Sequence, residues 1–257
     1  MRLCVPLPCH FSLNSTQEII LAIRTVAALG YDAVEAYDWH GFDPKEIKPV
    51  LEECGVELVS LLVMETRMTH PAYRENWLNA LKEACEAASR LGTKRLITQV
   101  GPDTGAPRAR QHEAIVETFR LAKPILEDYG ITVMPEPLNI KVNHPGYYLT
   151  TAAEAFDIVR EVDTPYVKVI YDIYHQQITE GDIIPTVTRN LDLIAHLHAA
   201  GHPGRHELWY GELNYRYIFK AIDQAGYTGA CGLEYSPLEP VEESLRKAKQ
   251  TYGGKAW

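Results

Sequence analysis

Four side chains of metal-ligand type close successive strand-like runs in the second half of the sequence: Glu136 in "MPEPLN", Asp172 in "IYDIYH", His198 in "HLHAAG" and Glu234 in "GLEYSP". Three carboxylates and one imidazole make an oxygen-rich set of borderline hardness. It suits one Mn²⁺ or Mg²⁺ ion, with Co²⁺ compatible, better than a structural zinc. Such a set would leave coordination positions open for a chelating small molecule. Any one of these acids alone could cap a helix or sit solvated in a loop. Four in consecutive order make that account poor, because a carboxylate at the rim of an apolar strand is costly unless paired or metal-bound.

The tract "AHLHAAGHPGRHE" (195–207) holds four of the ten histidines, and strand geometry separates them. Successive side chains alternate faces, so His196 and His198 share the inner side while Leu197 packs outward. His196 lies about 6–7 Å deeper along the strand. It is therefore expected as a hydrogen-bonded residue beneath the site, and His198 as the ligand. His202 and His206 follow with Pro203 and Gly204, where surface exposure is expected. His206 remains a candidate for substrate contact.

Elements that would hold these residues recur along the whole chain. The strand-like runs are 2–7, "DAVEAY" (32–37), "VELVSLLV" (56–63), "KRLITQV" (94–100), "ITVMPE" (131–136), "YVKVIYD" (166–172), "DLIAHLHAA" (192–200) and "GACGLEY" (229–235). Between them lie amphipathic helical patterns such as 16–30, 76–91, 110–129, 151–162 and 214–225, the last with Asn214 as a cap. Several end in a glycine just before the next strand, as in "ALGYD", "RLGTK", "DYGIT" and "QAGYT". Eight such alternations predict an α/β fold, a single (β/α)₈ TIM barrel spanning 1–257, with the site at the C-terminal ends of the strands. A doubly wound sheet would want a glycine fingerprint after the first strand, and "CVPLPCHFSLNS" has none.

Composition narrows the class of protein. The chain has 257 residues, 46% hydrophobic and 23% charged, with a net charge of −9 and no lysine- or arginine-rich run. That balance argues against nucleic-acid binding. No apolar run approaches the ~18 residues of a membrane span, and the amino terminus does not read as a secretory signal. Five scattered cysteines without CxxC pairing read as thiols in a reducing compartment. A cytoplasmic enzyme acting on a small molecule is expected, and a homo-oligomer is compatible with the sequence.

The second half also resembles the hydroxypyruvate isomerase family, within the xylose-isomerase-like barrels that include tagatose and psicose 3-epimerases. The resemblance is carried by "EPLN", "HPGYYLTTAAEAFDIV", "VIYDIYHQQITEGD", "HLHAAGHPGRHE", "GELNY" and "AIDQAGYTGACGLEY". It implies a divalent ion held by Glu136, Asp172, His198 and Glu234, with Glu136 and Glu234 also serving as the acid/base pair. Moving a carbonyl between neighbouring carbons requires removal of an α proton. An ion chelated by the carbonyl and adjacent hydroxyl would stabilise the enediolate that forms. Two carboxylates can then take a proton from one position and return one to another. His175, in "YDIYH", would touch substrate oxygens. Arg205, whose planar donor fork suits a carboxylate, would bind substrate, and Glu212 would reach toward the pocket. The loop phrasing resembles the isomerase branch and His198 the epimerase branch, so the substrate stays open between a keto acid such as hydroxypyruvate or tartronate semialdehyde and a free ketose.

Two other readings remain. An endonuclease-IV-like phosphodiesterase would need further ligands for a multinuclear zinc cluster and a basic face, against the net charge. A non-enzymatic sugar-binding protein would need neither metal nor acid/base pair.

Overall fold

The computed structural model describes residues 1–253, so the last four positions of the expected 1–257 domain lie outside the described residues. Parallel strands run Arg2–Pro6 (β1), Ala33–Glu35 (β2), Glu57–Leu58 (β3), Leu61–Leu62 (β4), Arg95–Thr98 (β5), Thr132–Pro135 (β6), Val169–Asp172 (β7), Ile194–Ala199 (β8) and Ala230–Leu233 (β9). They hydrogen-bond in the orders β3-β2-β1-β9-β8-β7 and β4-β5-β6. Both seams between these sheets are bridged. Val133 donates its N–H to Tyr166 (2.9 Å) and accepts from Lys168 (3.1 Å), while Ala36 donates to Ser60 and Leu62 to Tyr37, each at 3.2 Å. The ring is thus closed, and the protein is a TIM barrel.

One stave differs from the sequence expectation. The run 56–63 is not one strand but two: β3 pairs with β2 and β4 with β5, while Val59, Ser60 and Leu62 stay hydrogen-bonded to Val34, Ala36 and Tyr37 of the second stave. A stave of a closed barrel has a neighbour on each side, and tilt and stagger shift the stretch along which each is met. Ser60, between β3 and β4, turns its hydroxyl to the interior, where it meets Glu35.

Helices wrap the barrel, and their ends follow local chemistry. Thr16–Ala28 is capped by Ser15, which accepts from the Glu18 N–H, and buries Ile19, Ala22, Ile23 and Val26. Arg74–Leu91 and Arg108–Tyr129 stop at Gly92 (φ 87°) and Gly130 (φ 60°), left-handed conformations that glycine adopts without steric cost. Asn214 caps Tyr215–Gln224 by accepting from Tyr217. Trp77 represents the core between helices and barrel: it is fully buried, donates to Thr98 Oγ1 (3.1 Å) and meets Phe119 edge-on at 5.6 Å. Inside the staves, Cys4, Ala33, Val59 and Ala230 form one small apolar cluster, and Ile97, Met134 and Ile170 another. All five cysteines are free thiols. Among the described residues no helix is long and apolar enough to cross a membrane.

Candidate metal and catalytic site

Each of the four ligand-type residues sits on or just past the end of a stave. Glu136 follows β6 and its N–H donates to the Thr98 carbonyl (3.1 Å), which ties the strand end to β5. Asp172 ends β7 and divides its carboxylate between two tasks. Its Oδ1 caps the helix Ile173–Thr179, accepting from the N–H groups of Tyr174 (2.7 Å) and His175 (3.2 Å). Its Oδ2 turns to the site, 3.6 Å from Arg205 Nη2. His198 lies on β8, in register with Asp172 on β7 and Gly232 on β9. Glu234 follows β9, its N–H donating to Ala199 (3.0 Å).

One ligand atom from each of Glu136, Asp172, His198 and Glu234 lies within 4.8 Å of all the others. His198 Nδ1 stands 2.9 Å from Glu234 Oε2 and 3.9 Å from Glu136 Oε1. Glu136 Oε1 is buried and has no hydrogen-bond partner. Three carboxylates converging on one imidazole, with an orphaned acceptor among them, fit a hard divalent cation.

The surroundings drive the carboxylates apart. Burial, then the charge of Glu234, pushes the Glu136 carboxyl up to about 8. Burial also raises Asp172, to about 6, against the pull of Arg205. Burial opposes ionisation of Glu234 too, but His198 and Arg205 outweigh it and hold that carboxyl below the usual range. Arg205 Nη2 donates to Glu234 Oε2 (2.7 Å) and Tyr37 OH to Oε1 (2.7 Å). For His198, burial disfavours the imidazolium, yet Glu35 and Glu234 prevail and raise it well above its ordinary value.

His175 and Arg205 adjoin this cluster. His175 is fully buried, and its Nδ1 accepts from the backbone N–H (3.2 Å) and side-chain amide (2.7 Å) of Asn139. That assignment leaves the proton on Nε2, which has no hydrogen-bond partner and lies 3.6 Å from Asp172 Oδ2. Burial and Arg205 hold the ring neutral, its pKa down at about 2. Arg205 adopts a left-handed backbone (φ 57°) and stacks 5.3 Å over the Tyr174 ring.

Other expected residues fall elsewhere. His206 has its Nδ1 2.8 Å from the Ser236 carbonyl, outside the carboxylate cluster. The Glu212 side chain is 59% exposed, and its contacts are His202 and Gln177. Both belong to the rim of the loop after β8, where strand parity no longer dictates direction. In the same loop Glu207 is buried and accepts from the N–H groups of Leu238 and Glu239. His196 lies beneath His198 with Nε2 3.0 Å from Glu35 Oε1.

Glu35, Tyr37, Ser60 and Asn139 are site residues the sequence reading did not single out. Glu35 is fully buried and meets both inner histidines. A glutamate inside "DAVEAY" was a signal, since an acid in an apolar strand demands a partner. Tyr37 shares its parity.

The sequence model of the family described as "Xylose isomerase-like TIM barrel" matches residues 23–251. The chain is 31% identical over 238 residues to a protein from Escherichia coli named hydroxypyruvate isomerase, covering 89% of this chain and 92% of that one. It is 36% identical over 184 residues to a 2-oxo-tetronate isomerase from Cupriavidus necator, covering 71% and 70%. Among solved structures it is similar to one described as AP endonuclease, family 2, from Brucella melitensis, with TM-score 0.89, 28% identity and coverage of 98% and 100%.

Proposed function

This chain belongs to the xylose isomerase-like TIM-barrel family and is an isomerase, and we propose that it interconverts the carbonyl and neighbouring hydroxyl of a small 2-keto acid of the hydroxypyruvate or 2-oxo-tetronate type. The observation that carries this reading is the pair Glu136 and Glu234. These two carboxylates come from different staves and face one imidazole, with one oxygen of each inside the same 4.8 Å cluster. Two carboxylates on separate staves can serve neighbouring carbons, one as base and the other returning a proton. Glu234 takes the proton from the carbinol carbon, Glu136 returns one drawn from solvent to the former carbonyl carbon, and the hydroxyl proton passes to the oxygen of that carbon. The first carbon is oxidised as the second is reduced, and no external redox partner enters.

Glu136, Asp172, His198 and Glu234 would hold one divalent ion of the Mn²⁺ or Mg²⁺ class. When bound, that ion would supply positive charge where the substrate oxygens become anionic. Arg205 offers a donor fork to the substrate carboxylate, and His175 Nε2–H a neutral donor to a substrate oxygen. Against a multinuclear nuclease site, the other ligand-type group among the described residues, Glu35 with His196 and His198, shares His198 with the first and so is not a second independent set.

Solvent deuterium uptake into hydroxypyruvate, a 2-oxo-tetronate and a free ketose, with Mn²⁺ or Mg²⁺ present, tests the reading. Uptake with carbonyl transfer in the keto acids is expected, with Glu136→Gln and Glu234→Gln each lowering turnover by at least about a hundredfold. Exchange confined to the ketose would instead favour 3-epimerisation, and near-normal turnover in both variants would refute the acid/base pair.

A further inference from the structure

We propose that Glu35 is the positioning residue that fixes His198 with Nδ1 turned toward the divalent ion, an inference that rests on the metal-site reading above. Glu35 ends β2, whereas His198 lies on β8, with β1 and β9 between them in the sheet. Its carboxylate crosses the barrel interior and is fully buried there. Glu35 Oε2 faces His198 Nε2 at 3.0 Å and accepts from Ser60 Oγ at 2.7 Å, and Oε1 lies 3.0 Å from His196 Nε2.

An ionised carboxylate only accepts, so each ring nitrogen that faces one carries hydrogen in the metal-free protein, Nε2 toward Glu35 and Nδ1 toward Glu234, and a cation held between Nδ1 and Glu234 would replace only the second. A His198 that donates from Nε2 keeps the lone pair of Nδ1 available to a cation, and Nδ1 is the atom that faces Glu136 and Glu234. The alternative tautomer would place two acceptors, Nε2 and the carboxylate, against each other in a dry interior. Outer carboxylates of this sort orient ligating histidines and raise their basicity.

Space for the contact is made by Gly232 on β9. A Cβ there would stand 2.3 Å from Glu35 Oε1 and 2.7 Å from His198 Cδ2. The glycine is needed for room, not for its backbone, since its φ is not in the left-handed region. Ser60, between β3 and β4, completes the arrangement.

The test uses the full chain, Mn²⁺ titrations followed by electron paramagnetic resonance, and ¹⁵N NMR of the histidine rings in the Mg²⁺-loaded protein. In the unsubstituted protein His198 is expected to carry hydrogen on Nε2 and none on Nδ1. Glu35→Gln is expected to weaken Mn²⁺ binding by about 10–100-fold while the chain stays folded, with Gly232→Ala in the same direction and Ser60→Ala a smaller loss. A folded Glu35→Gln within about threefold of the unsubstituted affinity, a difference of well under 1 kcal/mol, would overturn the proposal, as would hydrogen on Nδ1 of the loaded ring. Should Glu35→Gln not fold, the ring spectra and Ser60→Ala decide. Unsubstituted protein that takes up no Mn²⁺ would overturn the metal-site reading itself, whereas good uptake with an indifferent Glu35→Gln removes only the role of Glu35.

Discussion

Titrating the metal-free protein with Mn²⁺ at several pH values probes the electrostatics of the site. Glu136 titrates at about 8 because it is buried beside Glu234. At pH 7 it is therefore about 90% protonated, whereas Asp172, at about 6, is about 90% ionised. His198, between Glu35 and Glu234, is an imidazolium under the same conditions. A ligand must shed its proton to bind a cation, so Mn²⁺ should displace about two protons at pH 7, one from Glu136 and one from His198. Apparent affinity should rise roughly 100-fold per pH unit near 7, and roughly tenfold above 8, where Glu136 is already ionised. Calorimetry in two buffers of different ionisation enthalpy reads the proton count, and Glu136→Gln should lower it by about one. The sign for stability follows from the same shifts. The Glu136 pKa is raised above its ordinary 4.5, so between 4.5 and about 8 the folded state holds more protons than the unfolded one. The His198 pKa is also raised, and its contribution is lost as pH rises through the folded value. Glu234, depressed, contributes above its ordinary value and loses that only in acid. The metal-free melting temperature should thus fall from pH 6 to 9, and saturating Mn²⁺ should abolish the fall. A pH-independent affinity without proton release would refute the argument.

Two further expectations concern single residues. Arg205→Lys keeps the charge but loses the fork that reaches Glu234 Oε2; if it binds a substrate carboxylate, KM should rise about 10–100-fold, the worth of roughly 1.5–3 kcal/mol for a charged hydrogen bond, and an unchanged KM would remove it from the substrate. Gly101→Ala would put a Cβ 2.2 Å from the Thr66 carbonyl oxygen at φ 101°; a loss of about 1–3 kcal/mol or more is expected by thermal melting, and an unaltered melting temperature would contradict the contact.

The barrel was legible because each stave announces itself as an apolar run followed by an amphipathic helix, and because polar residues closing such runs have few cheap explanations. Glu136, Asp172, His198 and Glu234 were therefore visible one stave at a time, and the structure brings them together. Glu35 was not, since its partners lie 161 and 163 residues away and only closure of the ring brings them opposite it. Asn139 was hidden for a related reason: it acts through the far nitrogen of His175, and nothing in "EPLN" says which ring atom it meets. The division of 56–63 into β3 and β4 reflects where each neighbour is met in the closed sheet, which "VELVSLLV" does not show. Parity separates His196 from His198 on the strand Ile194–Ala199 and says nothing of His206 and Glu212, which lie beyond its end.

The contact between Glu35 and His198 also bears on how the chain is assembled. It joins the second stave to the seventh, and Glu234 comes from the eighth, so no contiguous half of the polypeptide contains the whole site. Fragments cut between staves should acquire tight metal binding only when recombined. During synthesis the ion would find its complete set of ligands only after the final strand has slotted between the first and the seventh. Metal uptake would then serve as a late seal on a chain that has already found its shape, and a truncated product would be left without one.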